Sequence, residues 1–188
     1  MRYKVKKYGD EELSNHAPIY AGIDQSYSGF AYTMLDSEGN HYTRVAKFDG
    51  TGVKRLHSIR EFLTECFDND GYHYSVADVA MEGYAFGSQM ANTLGELGGL
   101  VKLAVYDRYG IQSLVVPPTN LKKYVTGKGT GVQKNQMLLH MYKKWGVEFT
   151  DDNAADSYAL ARLVAGLHST AYEKETYSKL IEDPKYRA

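Results

Sequence analysis

The chain has 188 residues, 43% of them hydrophobic and 24% charged, with a formal charge of −1. That size suits one domain with a proper core, and the ordinary balance of apolar and charged residues excludes global disorder. There is no apolar run near the roughly 18 residues of a membrane span, no signal-peptide pattern in the basic N-terminus MRYKVKKYGDEELSNH, and only one cysteine, Cys66, so neither an internal disulfide nor a common cysteine zinc site.

Residues 1–17 read as an N-terminal extension, 18–168 as the folded domain and 169–188 as a polar, tyrosine-rich tail. The domain opens with IYAGIDQSYSGFAYTMLD, an apolar run ending at Asp24, a Ser/Gly turn and a second β-rich run. The SEGN turn at 37–40 leads into HYTRVAKFDG, so three consecutive strands are predicted, joined as a meander. In VKRLHSIREFLTECF, residues Val53, Leu56, Ile59, Phe62, Leu63 and Phe67 share one helical face. Tyr74 to Met81 is a short strand that delivers Glu82. A helix from Ser88 to Tyr109 carries Gly95, Gly98 and Gly99, each costing about 1 kcal/mol against alanine, which points to close packing against another backbone. IQSLVVPP is the fifth strand, stopped by Pro117-Pro118. Then come a short helix in TNLKKYV, the flexible loop TGKGTG, and helices over Val132–Trp145, Asn153–Leu167 and, in the tail, Tyr172–Ile181. Three strands followed by alternating β and α units predict an α/β layered domain with a mixed sheet.

Charge is unevenly distributed. From Arg108 to Val147 there are seven basic residues and no Asp or Glu, so this stretch carries +7 and the remainder −8. Such asymmetry points to a side that faces a polyanion. Lys122, Lys123, Lys128 and Lys134 bracket the TGKGTG loop, whose glycines let phosphates approach the backbone. The loop is not a P-loop, because no Ser or Thr follows a lysine after the glycines. Lys143 and Lys144 read as a solvated helix end, His140 as a packing residue and Trp145 as core.

Three acids stand where acids need a partner. Asp24 and Glu82 end buried strands, and Asp156 shares a helical face with Asp152 and Asn153. Hard oxygen donors converging from separate elements suit Mg²⁺, with Mn²⁺ as substitute. Two such cations about 3.5–4 Å apart can activate water and stabilise the leaving oxygen in phosphodiester hydrolysis. Taken singly, each acid is also explained as a turn former or a helix-start residue.

The ordered set GIDQSYSGFAY, MEGYAFGSQMANTLGELGG, LKKYVTGKG with Lys134, and DDNAADSYALA resembles the RuvC-type Holliday junction resolvases of the RNase H-like superfamily, particularly their phage-encoded branch. The resemblance spans Ile19 to Leu167. It implies an RNase H-like fold with a mixed five-stranded sheet whose first three strands form an antiparallel meander, flanked by helices. It also implies a homodimer, and metal-dependent paired nicking of branched DNA at a four-way junction; the single cysteine fits a reducing cytoplasm. Asp24, Glu82 and Asp156 match three of the family's four metal-binding acids; the fourth falls at Asn153. Either Asn153 ligates through its carbonyl oxygen or Asp152 serves from one residue earlier. Lys122 matches a family lysine that contacts DNA near the site, and Lys134 a second one placed among the catalytic residues. Tyr84 or Phe86, in the loop beside Glu82, would stack on bases at the junction; either is equally readable as core. The helix bearing the three glycines is the candidate dimer element.

Two other functions are weighed. A noncatalytic branched-DNA-binding module of the same fold draws its support from Asn153. An actin-like nucleotide binder also begins with Asp in a strand-turn-strand, but wants a second glycine-rich phosphate turn where this chain has MEGYAF. The expected partners are therefore branched DNA and a second copy of the chain, with no membrane and no nucleotide cofactor.

Overall fold

The computed structural model describes residues 3–9, 13, 17–26, 29–69, 75–84 and 91–188. Six strands are described: β1 (Tyr3–Gly9), β2 (Ile19–Asp24), β3 (Phe30–Asp36), β4 (His41–Phe48), β5 (Val76–Glu82) and β6 (Leu114–Val116). They form one sheet in the order β1-β4-β3-β2-β5-β6. The β2–β5 and β5–β6 pairs are parallel and the others antiparallel, so the sheet is mixed.

This corrects the expected five strands to six. The additional strand is β1, which comes from the segment read as an extension and covers the outer edge of β4. The antiparallel meander thus comprises the second to fourth strands of the chain, not the first three. Five of the seven β1 residues, Lys4 to Lys7 and Gly9, are exposed, because an edge strand has a neighbour on one side only. β2 and β3 are buried almost throughout, since helices cover both faces at the sheet centre. The β3–β4 turn is fixed by Asp36, whose carboxylate accepts from the backbone N–H groups of Glu38 and Asn40, both at 2.9 Å.

On one face lie α1 (Gly52–Asn69) and α2 (Ala91–Tyr109). On the other lie α3 (Pro118–Thr126), α4 (Lys134–Trp145), α5 (Asp152–Val164) and α6 (Ala171–Ile181). The expected strand at 111–118 shortens to β6, because Pro118 opens α3. The first three positions of the expected helix 88–109 lie outside the described residues.

α5 positions the site. A Cβ on Gly22 of β2 would stand 1.9 Å from the Ser157 carbonyl oxygen and 2.4 Å from the Ala161 nitrogen, so only glycine admits the helix backbone there. A buried hydroxyl chain pins the same point: Thr33 Oγ1 lies 2.7 Å from Ser157 Oγ and 2.8 Å from Thr43 Oγ1. Asp151 caps the helix, accepting from the N–H groups of Asn153 and Ala154. The chain terminus closes the far edge of the sheet. Arg187 forms a two-pronged ion pair with Asp78 at 2.7 and 2.8 Å, and the Ala188 N–H donates to the Ser113 carbonyl.

Candidate active site

Side chains alternate along a strand, so Asp24 and Glu82 project from the sheet face that α5 covers, at the exits of the adjacent parallel strands β2 and β5. α5 brings Asp156 over them from its second turn. These three acids, with Ser26, Lys122, Lys134, Asp152 and Asn153, line a cleft of about 270 Å³. Pro118, Leu121, Val132, Met137, Leu138 and Ala155 supply its apolar walls.

The electrostatics are those of crowded like charges. Burial, then the charges of Glu82 and Asp156, holds the Asp24 carboxyl well above the usual carboxylate range, and Asp24 shares a hydrogen bond with Glu82. Burial also raises Glu82, against the opposing pull of that hydrogen bond and of Lys122 and Lys134. Asp156 is pushed up to about 7 by burial and by Glu82, with Lys134 and Lys122 pulling the other way. The Ser26 N–H donates to Asp24 at 3.1 Å, a small stabilisation of the ionised form.

No group of three or more His, Cys, Asp or Glu side chains among the described residues is drawn tightly enough to read as an assembled metal cage. The mutual pKa perturbation nevertheless shows that Asp24, Glu82 and Asp156 feel one another. Asp24 and Glu82 share a hydrogen bond, and the raised carboxyls favour protons held between them over a full set of negative charges. Their chemistry fits a hard divalent cation, since all the donors are oxygens and the cost of crowding them is one that a cation repays.

Asn153 and Asp152 both line the cleft and differ in their partners. Asn153 is seated against Gly29, where a Cβ would meet its Nδ2 at 2.7 Å, so the glycine ending the DQSYSG turn makes room for the amide. Asp152 is ion-paired with Lys134, which occupies the first position of α4. Lys122 faces the cleft from α3. Lys123 turns away to pair with Glu175 of α6 at 3.2 Å, and Lys128 stands exposed in the loop; neither lines the cleft. Tyr84 lies instead on a larger, mostly apolar cavity of about 580 Å³ with Val115, Pro117 and Tyr186. Phe86 lies outside the described residues.

The α2 glycines do not meet another backbone among the described residues. A Cβ on Gly98 would stand 3.3 Å from Gln25 Oε1 and 3.7 Å from the Tyr84 ring, one on Gly95 3.7 Å from the Tyr84 hydroxyl, and one on Gly99 meets nothing within 4 Å. Gln25 itself is a site residue that patterning leaves silent. It is 5% exposed, and its Nε2 donates to the Glu82 carbonyl oxygen at 2.6 Å, tying the end of β2 to the end of β5. A polar residue directly after a strand-end acid is the one cue, and it does not distinguish a turn residue from a clamp.

No protein-family model matches the chain, and no curated protein matches it. Among solved structures, Thermus thermophilus RuvC aligns with a TM-score of 0.58 and 20% identity, over 86% of this chain and 95% of RuvC. The fold is that of RuvC. A structure of T. thermophilus RuvC in complex with a Holliday junction substrate aligns with a TM-score of 0.58 and 19% identity, over 78% of this chain and 91% of RuvC. The yeast mitochondrial Holliday junction resolvase Ydc2 aligns at 14% identity with a TM-score of 0.46, over 92% and 86%. This fold agrees with the RuvC-type resemblance carried by the motifs around Asp24, Glu82 and Asp156. The candidate cleft thus sits on a RuvC fold, at strand ends that its central parallel pair brings together.

Proposed function

We propose that this chain is a divalent-cation-dependent endonuclease that resolves four-way DNA junctions by paired nicks, acting as a homodimer in the cytoplasm. The observation that carries the reading is the meeting of Asp24, Glu82 and Asp156, from three separate elements, in one cleft flanked by Lys122 and Lys134. The RuvC fold, one example of which is solved on a Holliday junction substrate, supports DNA junctions as the substrate class.

Asp24, Glu82 and Asp156 would hold Mg²⁺ or Mn²⁺, with Asn153 or Asp152 completing the set. When bound, two such cations activate water and neutralise the charge that develops on a scissile phosphate. The chain's own residues do the rest. Lys122 and Lys134 draw the phosphate into the cleft and lie where negative charge builds in the transition state. Pairing of Lys134 with Asp152 fixes the start of α4 against α5, at the rim of the cleft that Asn153 also lines. The apolar walls limit bulk water around the reacting group. A two-fold pair of such clefts matches the symmetry of a junction and would cut opposed strands.

The test is nicking of a synthetic immobile four-way junction beside linear duplex, with and without Mg²⁺. Junction-selective nicking that needs the cation and is lost in Asp24→Asn is the expected result. Cation-independent cutting, or an Asp24→Asn protein that cuts at the normal rate, overturns the assignment. Junction binding without cutting at any cation concentration instead favours a noncatalytic module, the reading that the uncharged Asn153 supports.

A further inference from the structure

The edge ribbon of β1 and β4 carries a second cluster of positive charge outside the candidate cleft. Lys4 stands directly opposite Lys47, and Lys6 opposite Val45. All three lysines are exposed, and none forms an ion pair with an acid among the described residues. Like charges placed directly across a strand pair repel, so this arrangement costs stability unless an anion lies over it.

Register ties the cluster to the acids. Asp24 pairs with Ala31, Ala31 with Val45 and Val45 with Lys6, so Asp24 and Lys6 lie in one row on one face of the sheet. Three strand spacings separate them, about 14 Å, on the scale of the roughly 12 Å major groove of a duplex. Lys4 and Lys47 lie two residues farther along, in the direction in which β2 delivers Asp24. Lys6 is also anchored at the entrance to α5: its Nζ donates to Thr150 Oγ1 at 2.7 Å, immediately before the capping Asp151.

We propose that the face of the β1–β4 ribbon bearing Lys4, Lys6 and Lys47 binds the phosphate backbone of the DNA arm that leaves the acidic cleft. The proposal rests on the reading of the cleft as a junction nuclease, and adds a phosphate track contributed by the N-terminal strand. The rival explanation is that edge lysines guard an open sheet edge against pairing with another chain.

The experiment compares wild type with the triple variant Lys4→Gln/Lys6→Gln/Lys47→Gln in junction binding across a salt series. Loss of three phosphate contacts lowers affinity about tenfold at moderate salt and flattens the slope of log K against log salt by about 2–3. The triple Lys→Arg variant retains wild-type affinity and slope. Lys54→Gln, on α1 across the sheet, changes neither. A Gln triple with wild-type slope overturns the proposal, and a Gln triple that self-associates while keeping that slope assigns the lysines to guarding the edge. A wild-type protein that neither binds nor nicks junctions removes the nuclease reading itself. Wild-type nicking with an unchanged triple variant removes only the ribbon.

Discussion

The Gln25 side chain donates to the Glu82 carbonyl oxygen at 2.6 Å, so the residue after one strand-end acid grips the backbone of the next. The bond joins two chain segments that would otherwise diverge once the β2–β5 ladder ends at Ile23 and Met81. Gly98 of α2 leaves the space that this amide occupies. Gln25→Ala removes the clamp without removing any acid, and frees the end of β5 to shift Glu82. We expect nicking to fall about tenfold to a hundredfold, since small misplacements of catalytic groups are costly, with junction affinity within about twofold of wild type. Single-turnover rates measured beside dissociation constants check this. Equal losses in both would make Gln25 a folding residue instead.

Crowding of the three carboxylates sets stability against function. Asp24 is 2% exposed and its carboxyl is raised by burial and by two neighbouring acids, so removing its charge relieves repulsion in the cation-free protein. Asp24→Asn should therefore melt higher than wild type without cation, by about 2–4 °C for each kcal/mol relieved in a chain of this size. Mg²⁺ should raise the melting temperature of wild type more than that of the variant, because binding to the native state alone stabilises it. Calorimetric melts with EDTA and with Mg²⁺ check both, and a variant that melts lower without cation would show that Asp24 is structural.

Asp156 sets the pH range. Its carboxyl sits at about 7 in the fold, against an ordinary value of 3.8. Between those values the folded protein holds a proton that the unfolded chain has lost, so this group's contribution to stability declines as pH rises from about 4 to about 7. Cation binding runs the opposite way, because the ligand must be ionised. Affinity for Mn²⁺ should rise as pH increases through about 7, with proton release on binding. Titration calorimetry in buffers of different ionisation heat measures both, and in Asp156→Asn the pH dependence attributable to this group disappears.

The sheet centre was legible because burial on both faces writes an apolar run directly into IYAGID and FAYTMLD, and the acids stand out at the ends of such runs. β1 was not legible: YKVKKYG has the alternation of an edge strand but the charge of a tail, and only pairing with β4 distinguishes the two. Of the α2 glycines only Gly98 packs tightly among the described residues, and against the Gln25 amide, since a missing Cβ does not say whether backbone or a side chain fills the space. Lys122 and Lys123 are adjacent in sequence, yet helical geometry turns one to the cleft and the other to Glu175, a difference that charge counting does not contain.

Gly22 is the position where fold and site depend on one atom. It lies two residues before Asp24, and α5 crosses it so closely that an added Cβ would overlap the Ser157 carbonyl oxygen and the Ala161 nitrogen. Both obstacles are backbone, so no side-chain rotation relieves them, and α5 must lift from the sheet. Lifting it also strains the Thr33–Ser157 hydrogen bond and carries Asp156 away from Asp24. Gly22→Ala should cost about 3 kcal/mol or more, at the overpacking end of core substitutions. It should also lower nicking more than Gln25→Ala does, since it displaces a whole acid-bearing helix. Chemical denaturation together with single-turnover nicking tests the claim. A stable Gly22→Ala protein of normal activity would mean that α5 does not hold Asp156 in place through this contact.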